Sequence, residues 1–119
     1  MSDRWYSHAT RPLCYVAHPL GAGPDRERNR AEAARLLGEL QKHHPNRVFV
    51  GSWITLAETW PEDAEHREAG IAADLALIDH CSSLWLTGPR ISNGMQLEID
   101  HAKRRGLEIV NRIGIHHGR

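Results

Sequence analysis

The chain has 119 residues, 40% hydrophobic and 25% charged, enough for one globular domain around one core. Lys+Arg (15) and Asp+Glu (15) cancel, which argues against a nucleic-acid binder held by a wide basic surface but not against a small anionic ligand that needs only local donors. No apolar run reaches the ~20 residues of a membrane span, and MSDRWYSHATR lacks the apolar core of a signal peptide, so the expectation is a cytoplasmic protein without membrane contact.

Residues 1–11 are polar and read as an irregular lead-in to a single domain spanning 1–119. PLCYVAH, from Pro12 to His18, is an apolar run and the first strand. Pro19-Leu20-Gly21-Ala22-Gly23-Pro24 is a Gly- and Pro-rich turn, after which Asp25 caps a helix running to about His43. Ala31, Ala34, Leu37 and Leu40 recur at helical spacing and form its expected buried stripe. RVFVGS, Arg47 to Ser52, reads as the second strand, and WITLAETWPE, residues 53–62, as a loop over the site with a short helical turn. A second helix is expected from Glu62 to about Cys81, with Ile71, Leu75 and Ile78 on one face. SLWLT, Ser83 to Thr87, is the third strand, Asn93 to Arg105 a third helix closed by Gly106, and Leu107 to Asn111 a fourth strand. Residues 112–119 form a tail.

Alternating strands and helices, with strands that are continuously apolar, predict an α/β fold. It has three layers, a flavodoxin- or Rossmann-like parallel sheet of four to five strands with helices on both faces. Cys14 and Cys81 lie far apart without metal-binding spacing and read as buried reduced thiols. The pairs His43-His44 and His116-His117 read as solvated histidines rather than metal ligands.

Open α/β sheets bind ligands beyond the C-terminal ends of their strands. Three loops are expected to gather there: His18 to Arg26, the segment containing Trp53, and Gly88 to Gly94. The last carries Ser92-Asn93-Gly94 at a helix start, where free backbone N–H groups suit an anion. Glu98 follows on that helix, and Asp74 lies on the preceding one.

These residues resemble the nucleoside 2-deoxyribosyltransferase superfamily, in particular the branch that hydrolyses 2'-deoxynucleoside 5'-monophosphates at the N-glycosidic bond. The match rests on Tyr15-Val16-Ala17 followed by a Gly-containing loop, Asp74-Leu75, and Ser92-x-Gly94-x-x-x-Glu98, and covers residues 13–111. The resemblance implies Glu98 as the nucleophile at the anomeric carbon, Tyr15 orienting it, Asp74 as the acid serving the departing base, and Ser92 holding the 5'-phosphate. It implies an enzyme, hydrolase or glycosyltransferase, with no metal or other cofactor. The partners implied are a small nucleotide or nucleoside and further copies of the chain in a homodimer or larger assembly. Asn93, Gly94, His18, Gly21, Gly23, Arg26, Trp53 and Arg90 complete the expected substrate-binding set. The chemistry requires Asp74 to hold a proton near neutrality and Glu98 to stay ionised.

The chain departs from the family pattern at His18, where a small residue is usual, and at Ser82-Ser83, where an Asp is common. Other readings of the same residues stand beside the functional one. Glu98 could pair with Lys103 or Arg105 on a solvated helix face, and Tyr15 could be plain core. Trp53 and Trp60 could cover a base by stacking or cap the core, and Arg26, Arg28 and Arg30 could form a solvated face. The alternative function is a non-catalytic module that binds a nucleotide or an ADP-ribose-like ligand.

Overall fold

The computed structural model describes residues 10–115. Four short apolar runs form the strands: β1 (Leu13–Ala17), β2 (Val48–Val50), β3 (Ser83–Leu86) and β4 (Glu108–Asn111). They pair in parallel in the order β2-β1-β3-β4. Four helices connect them: α1 (Pro24–His43), α2 (Ser52–Thr59), α3 (Ala64–Ile78) and α4 (Asn93–Arg104). The chain therefore has the expected three-layer, Rossmann-like α/β fold, with a sheet of four strands.

Register explains how short strands can be buried on both sides. Tyr15 pairs with Leu84 and Ala17 with Leu86, so these four share one face. That face packs on Trp53 and Ile54 of α2, Ile78 of α3, and Met95, Ile99 and Ala102 of α4. Cys14, Val16 and Trp85 occupy the opposite face with Phe49 and with Leu40 of α1. There Trp85 is edge-on to Phe49, with ring centroids 5.0 Å apart, and His44 closes over it at 5.2 Å. Cys14 and Cys81 are buried and free, as expected.

Local chemistry sets the helix ends, and several expectations need correction. Asp25 does not cap α1; Gly23 holds the cap position and Pro24 is the first helical residue, its fixed φ suiting the first turn. Within α1 the fully buried positions are Ala33, Leu36 and Leu40, while Ala34 and Leu37 are partly buried and Ala31 is exposed. The stripe is displaced because α1 turns a different edge to the sheet than the spacing of its alanines indicates. Residues 53–62 are not mainly loop, because Ser52–Thr59 forms α2. Its buried Trp53, Ile54 and Ala57 follow helical spacing, and the tertiary contact they make outweighs the β-branched content of the segment.

The strand after α1 is consequently shorter than expected, ending at Val50, and α3 starts later, with the Asp63 side chain accepting from the His66 N–H at its cap. Gly106, with φ +74°, ends α4 as expected. Among the described residues no helix is long and apolar enough to cross a membrane. The expected solvated pair His116-His117 lies outside the described residues, as does much of the lead-in and the tail.

Candidate active site

The sheet changes direction of winding between β1 and β3, and loops leaving these neighbours must part, opening a crevice at their C-terminal ends. A cavity of about 560 Å³ occupies that crevice. Of the residues singled out from sequence, His18, Gly21, Trp53, Asp74, Arg90, Ser92, Asn93, Gly94 and Glu98 line it. Tyr15 lies beneath, fully buried, on the sheet face that looks towards α3 and α4. Gly23 and Arg26 do not line this cavity. The Gly23 N–H donates to Glu62 Oε1 at 3.1 Å, and Arg26 Nη1 donates to the Ala57 carbonyl at 2.7 Å, so both tie the start of α1 to the α2 region.

Tyr15, Asp74 and Glu98 converge from three elements. The Tyr15 hydroxyl is close enough to interact with both carboxyl groups, yet it is buried without a well-aligned hydrogen bond to either. Burial, with both carboxyl groups beside it, pushes its ionisation far upwards, so it stays a neutral donor. Burial also pushes Asp74 up to about 7, partly offset by Tyr15 and by Ser52, whose Oγ is 3.5 Å from Asp74 Oδ1. Glu98 is pushed up to about 8, again chiefly by burial, with Tyr15 opposing and the Asp74 charge reinforcing.

The raised Asp74 matches the requirement for an acid. Glu98 departs from the expectation that it simply stays ionised, because desolvation outweighs the help of the phenol. The two carboxyl groups are best treated as one coupled pair that loses its protons in two steps near and above neutrality. Glu98 does not pair with Lys103 or Arg105; Arg105 Nε instead bonds Asp79 at 3.1 Å.

The loop after β3 is shaped by a close approach. Gly88 has φ +92°, and a Cβ there would lie 2.8 Å from Pro19 Cδ and 3.0 Å from His18 Cδ2. Only glycine lets this loop pass the β1 loop so tightly. Beyond it, Ser92 caps α4, its Oγ accepting from the Met95 N–H at 3.2 Å. The N–H groups of Asn93 and Gly94 have no carbonyl four residues back in the helix, and both residues line the cavity.

That is the arrangement in which a helix start receives an anion. The chain belongs to the family described as Domain of unknown function (DUF7768). The family model matches residues 12–112, the whole sheet and every helix of this DUF7768 domain. A comparison with curated proteins finds no match.

Sequence reasoning missed two contributors in this DUF7768 member. Arg67 lines the cavity alongside Arg90, and among the described residues neither guanidinium has an ion-pair partner. Arg67, Ile71 and Asp74 are spaced four and three apart on α3, so they share one helix face; that spacing was the available signal. Ser52 was read as the end of a strand, and its contact with Asp74 became visible only once α2 was seen to begin there.

A second cavity, of about 130 Å³, adjoins the first and shares Leu20, Gly21, Trp53, Arg67, Ile71 and Asp74 with it. Trp60 and His66 line its far side, edge to face at 5.3 Å. Trp53 is anchored between the two cavities, its indole N–H donating to the Val16 carbonyl at 3.0 Å.

Proposed function

We propose that this protein cleaves the N-glycosidic bond of a nucleoside 5'-monophosphate, or transfers its sugar, through a covalent glycosyl-enzyme on Glu98. The observation that carries this reading is the meeting of Glu98, Asp74 and Tyr15 around one cavity whose other wall is the start of α4. Two carboxyl groups, one to attack a sugar carbon and one to protonate a leaving group, are what glycoside cleavage with retention requires.

In the first step the Glu98 carboxylate bonds to C1' of the sugar. The C1'–N bond breaks, its electron pair passes to the base, and Asp74 delivers the proton that neutralises it. In the second step water adds to C1', the Glu98–sugar bond breaks, and Asp74 takes a proton from the water. A second base in place of water gives transfer. The Tyr15 hydroxyl, neutral and close to both groups, steadies the Glu98 charge. The phosphate sits against the N–H groups of Asn93 and Gly94 with the Ser92 hydroxyl, opposite Arg67 and Arg90. Asp74 borders both cavities, so a base directed into the aromatic one lies within its reach. The buried free thiols fit a reducing, cytoplasmic setting.

The test is a panel of nucleosides, nucleoside monophosphates and deoxynucleoside monophosphates incubated with pure protein and assayed for free base. Release of base, and a covalent adduct on Glu98 with a 2-fluoro monophosphate, are expected. No release from any substrate removes the catalytic reading. A second reading, binding without turnover, draws on one observation: a carboxyl group pushed up to about 8 is largely protonated at neutral pH and then a poor nucleophile. Thermal stabilisation by a monophosphate that stays intact for hours would favour that reading.

A further inference from the structure

The proposed chemistry leaves His18 without a role, and its environment is unusual. It follows β1 directly, is 5% exposed, and lines the larger cavity. Its Nδ1 is 2.7 Å from the Pro19 carbonyl oxygen. A carbonyl only accepts, so Nδ1 carries the ring proton. The other nitrogen, Nε2, therefore presents a bare lone pair. It is buried and has no hydrogen-bond partner. Burial lowers the imidazole pKa, which keeps the ring neutral and the lone pair available. Gly88 leaves room for the ring: a Cβ at that position would be 3.1 Å from Nε2.

A buried acceptor left unpaired costs stability, and native folds keep few of them. On a residue that lines a ligand cavity, such an acceptor is a place for a donor carried by the ligand. A phosphate offers acceptor oxygens, so it is not the group that Nε2 receives. His18 lines the cavity of Arg90 and Ser92 and does not line the aromatic cavity next to it. The donor therefore belongs to the part of the ligand between phosphate and base.

We propose that His18 is a specificity-determining residue whose Nε2 accepts a hydrogen bond from a sugar hydroxyl of the bound nucleotide. This rests on the nucleotide reading of the cavity, but not on turnover. A fixed acceptor at this point rewards a sugar that keeps the matching hydroxyl and gains nothing from one that lacks it.

The experiment measures binding by calorimetry in a Glu98→Gln background, which prevents consumption of the ligand. The probes are AMP, its 2'-deoxy and 3'-deoxy analogues, and IMP, which replaces the base amine with an oxo group. In the His18 protein, loss of one of the two hydroxyls is expected to weaken binding about tenfold. In His18→Phe, which keeps a ring against Pro19 but has no acceptor, that difference should fall below twofold. His18→Gln, which restores an acceptor oxygen, should recover part of it, and it serves as the reporter should the Phe variant not fold. Hydroxyl discrimination that persists in both variants overturns the proposal. So does discrimination that follows the base amine, or failure of every probe to bind. Base release is scored separately. Hydroxyl selection through His18 without any base release would end the enzymatic reading and leave this inference standing, whereas base release with selection indifferent to His18 would do the reverse.

Discussion

Asp74 and Glu98 crowd two acidic groups and a phenol into one buried corner, and folding must bear the electrostatic cost. Both carboxyl groups ionise at higher pH in the folded chain than in the unfolded one, at about 7 and about 8. Between the unfolded values, near 4, and these folded values, the native state binds more protons than the unfolded state. Their contribution is therefore fully favourable below about pH 4 and is lost as pH rises through 7 to 8. Glu98→Gln removes one of the charges, so at pH 8 it should be more stable than the native sequence by roughly 1–2 kcal/mol. Chemical denaturation at pH 5.5 and pH 8 checks this: the gain should be small at the lower pH and clear at the higher. The same variant should lose base release by at least about a thousandfold. A variant that is at once more stable and inactive separates a site residue from a structural one. Within the native protein, the rate should trace a bell centred near pH 7–8, because only the singly protonated pair has both an acid and a nucleophile. The residue types of this corner were legible in the sequence, through the matched spacing of Tyr15, Asp74, Ser92 and Glu98. The direction of the Glu98 shift was not, because it depends on how completely Tyr15, Asp74 and the sheet remove water around it.

At the scale of elements, the start of α4 and the loop before it bear most of the binding argument. Ser92→Ala removes the Oγ that accepts the Met95 N–H, and should cost about 1 kcal/mol of stability, as lost caps generally do. If the hydroxyl also holds phosphate, the KM for a monophosphate should rise about tenfold while that for the free nucleoside changes little; equal effects on both would reduce Ser92 to a cap. Gly88→Ala is the severer change. It places a side chain at φ +92° and drives its Cβ to 2.8 Å from Pro19 Cδ. Destabilisation of at least about 2 kcal/mol by urea denaturation is expected, together with lost binding as the β1 and β3 loops separate. Sequence pattern located every strand and three of the four helices because their apolar runs and breakers coincide. It gave α2 only as a short helical turn within a loop, because its eight residues carry Ile54 and Thr55 and follow Gly51 without a side-chain cap. Such a helix exists because Trp53, Ile54 and Ala57 are buried against the sheet, a tertiary cause that local spacing does not display. Arg26 shows the same dependence on α2. It lines the smaller cavity, and its Nη1 donates to the Ala57 carbonyl of α2, a partner that local spacing does not display.

On the scale of the whole molecule, the site exists only where distant segments meet. Tyr15 and His18 come from the beginning of the chain, Asp74 and Arg67 from its middle, and Ser92 and Glu98 from the unit between β3 and β4. No pair of adjacent elements holds a complete cavity, so a ligand that spans it should stabilise the fold as one unit. A monophosphate at a hundred times its Kd adds about 2.7 kcal/mol by mass action, which for a domain of this size is on the order of 10 °C in Tm. The net charge of zero means this attraction is local, and it should centre on the Arg67 and Arg90 guanidinium groups that line the cavity. Arg67→Ala and Arg90→Ala should therefore each lower the shift given by a monophosphate while leaving Tm without ligand nearly unchanged, since both side chains are exposed and make no ion pair among the described residues. The shift for the native protein should also shrink between 50 mM and 500 mM salt, as screening weakens the two positive charges. Scanning calorimetry with and without ligand decides the matter. A shift that is insensitive to salt and survives both substitutions would place the anion elsewhere, and with it the assignment of this cavity to a nucleotide.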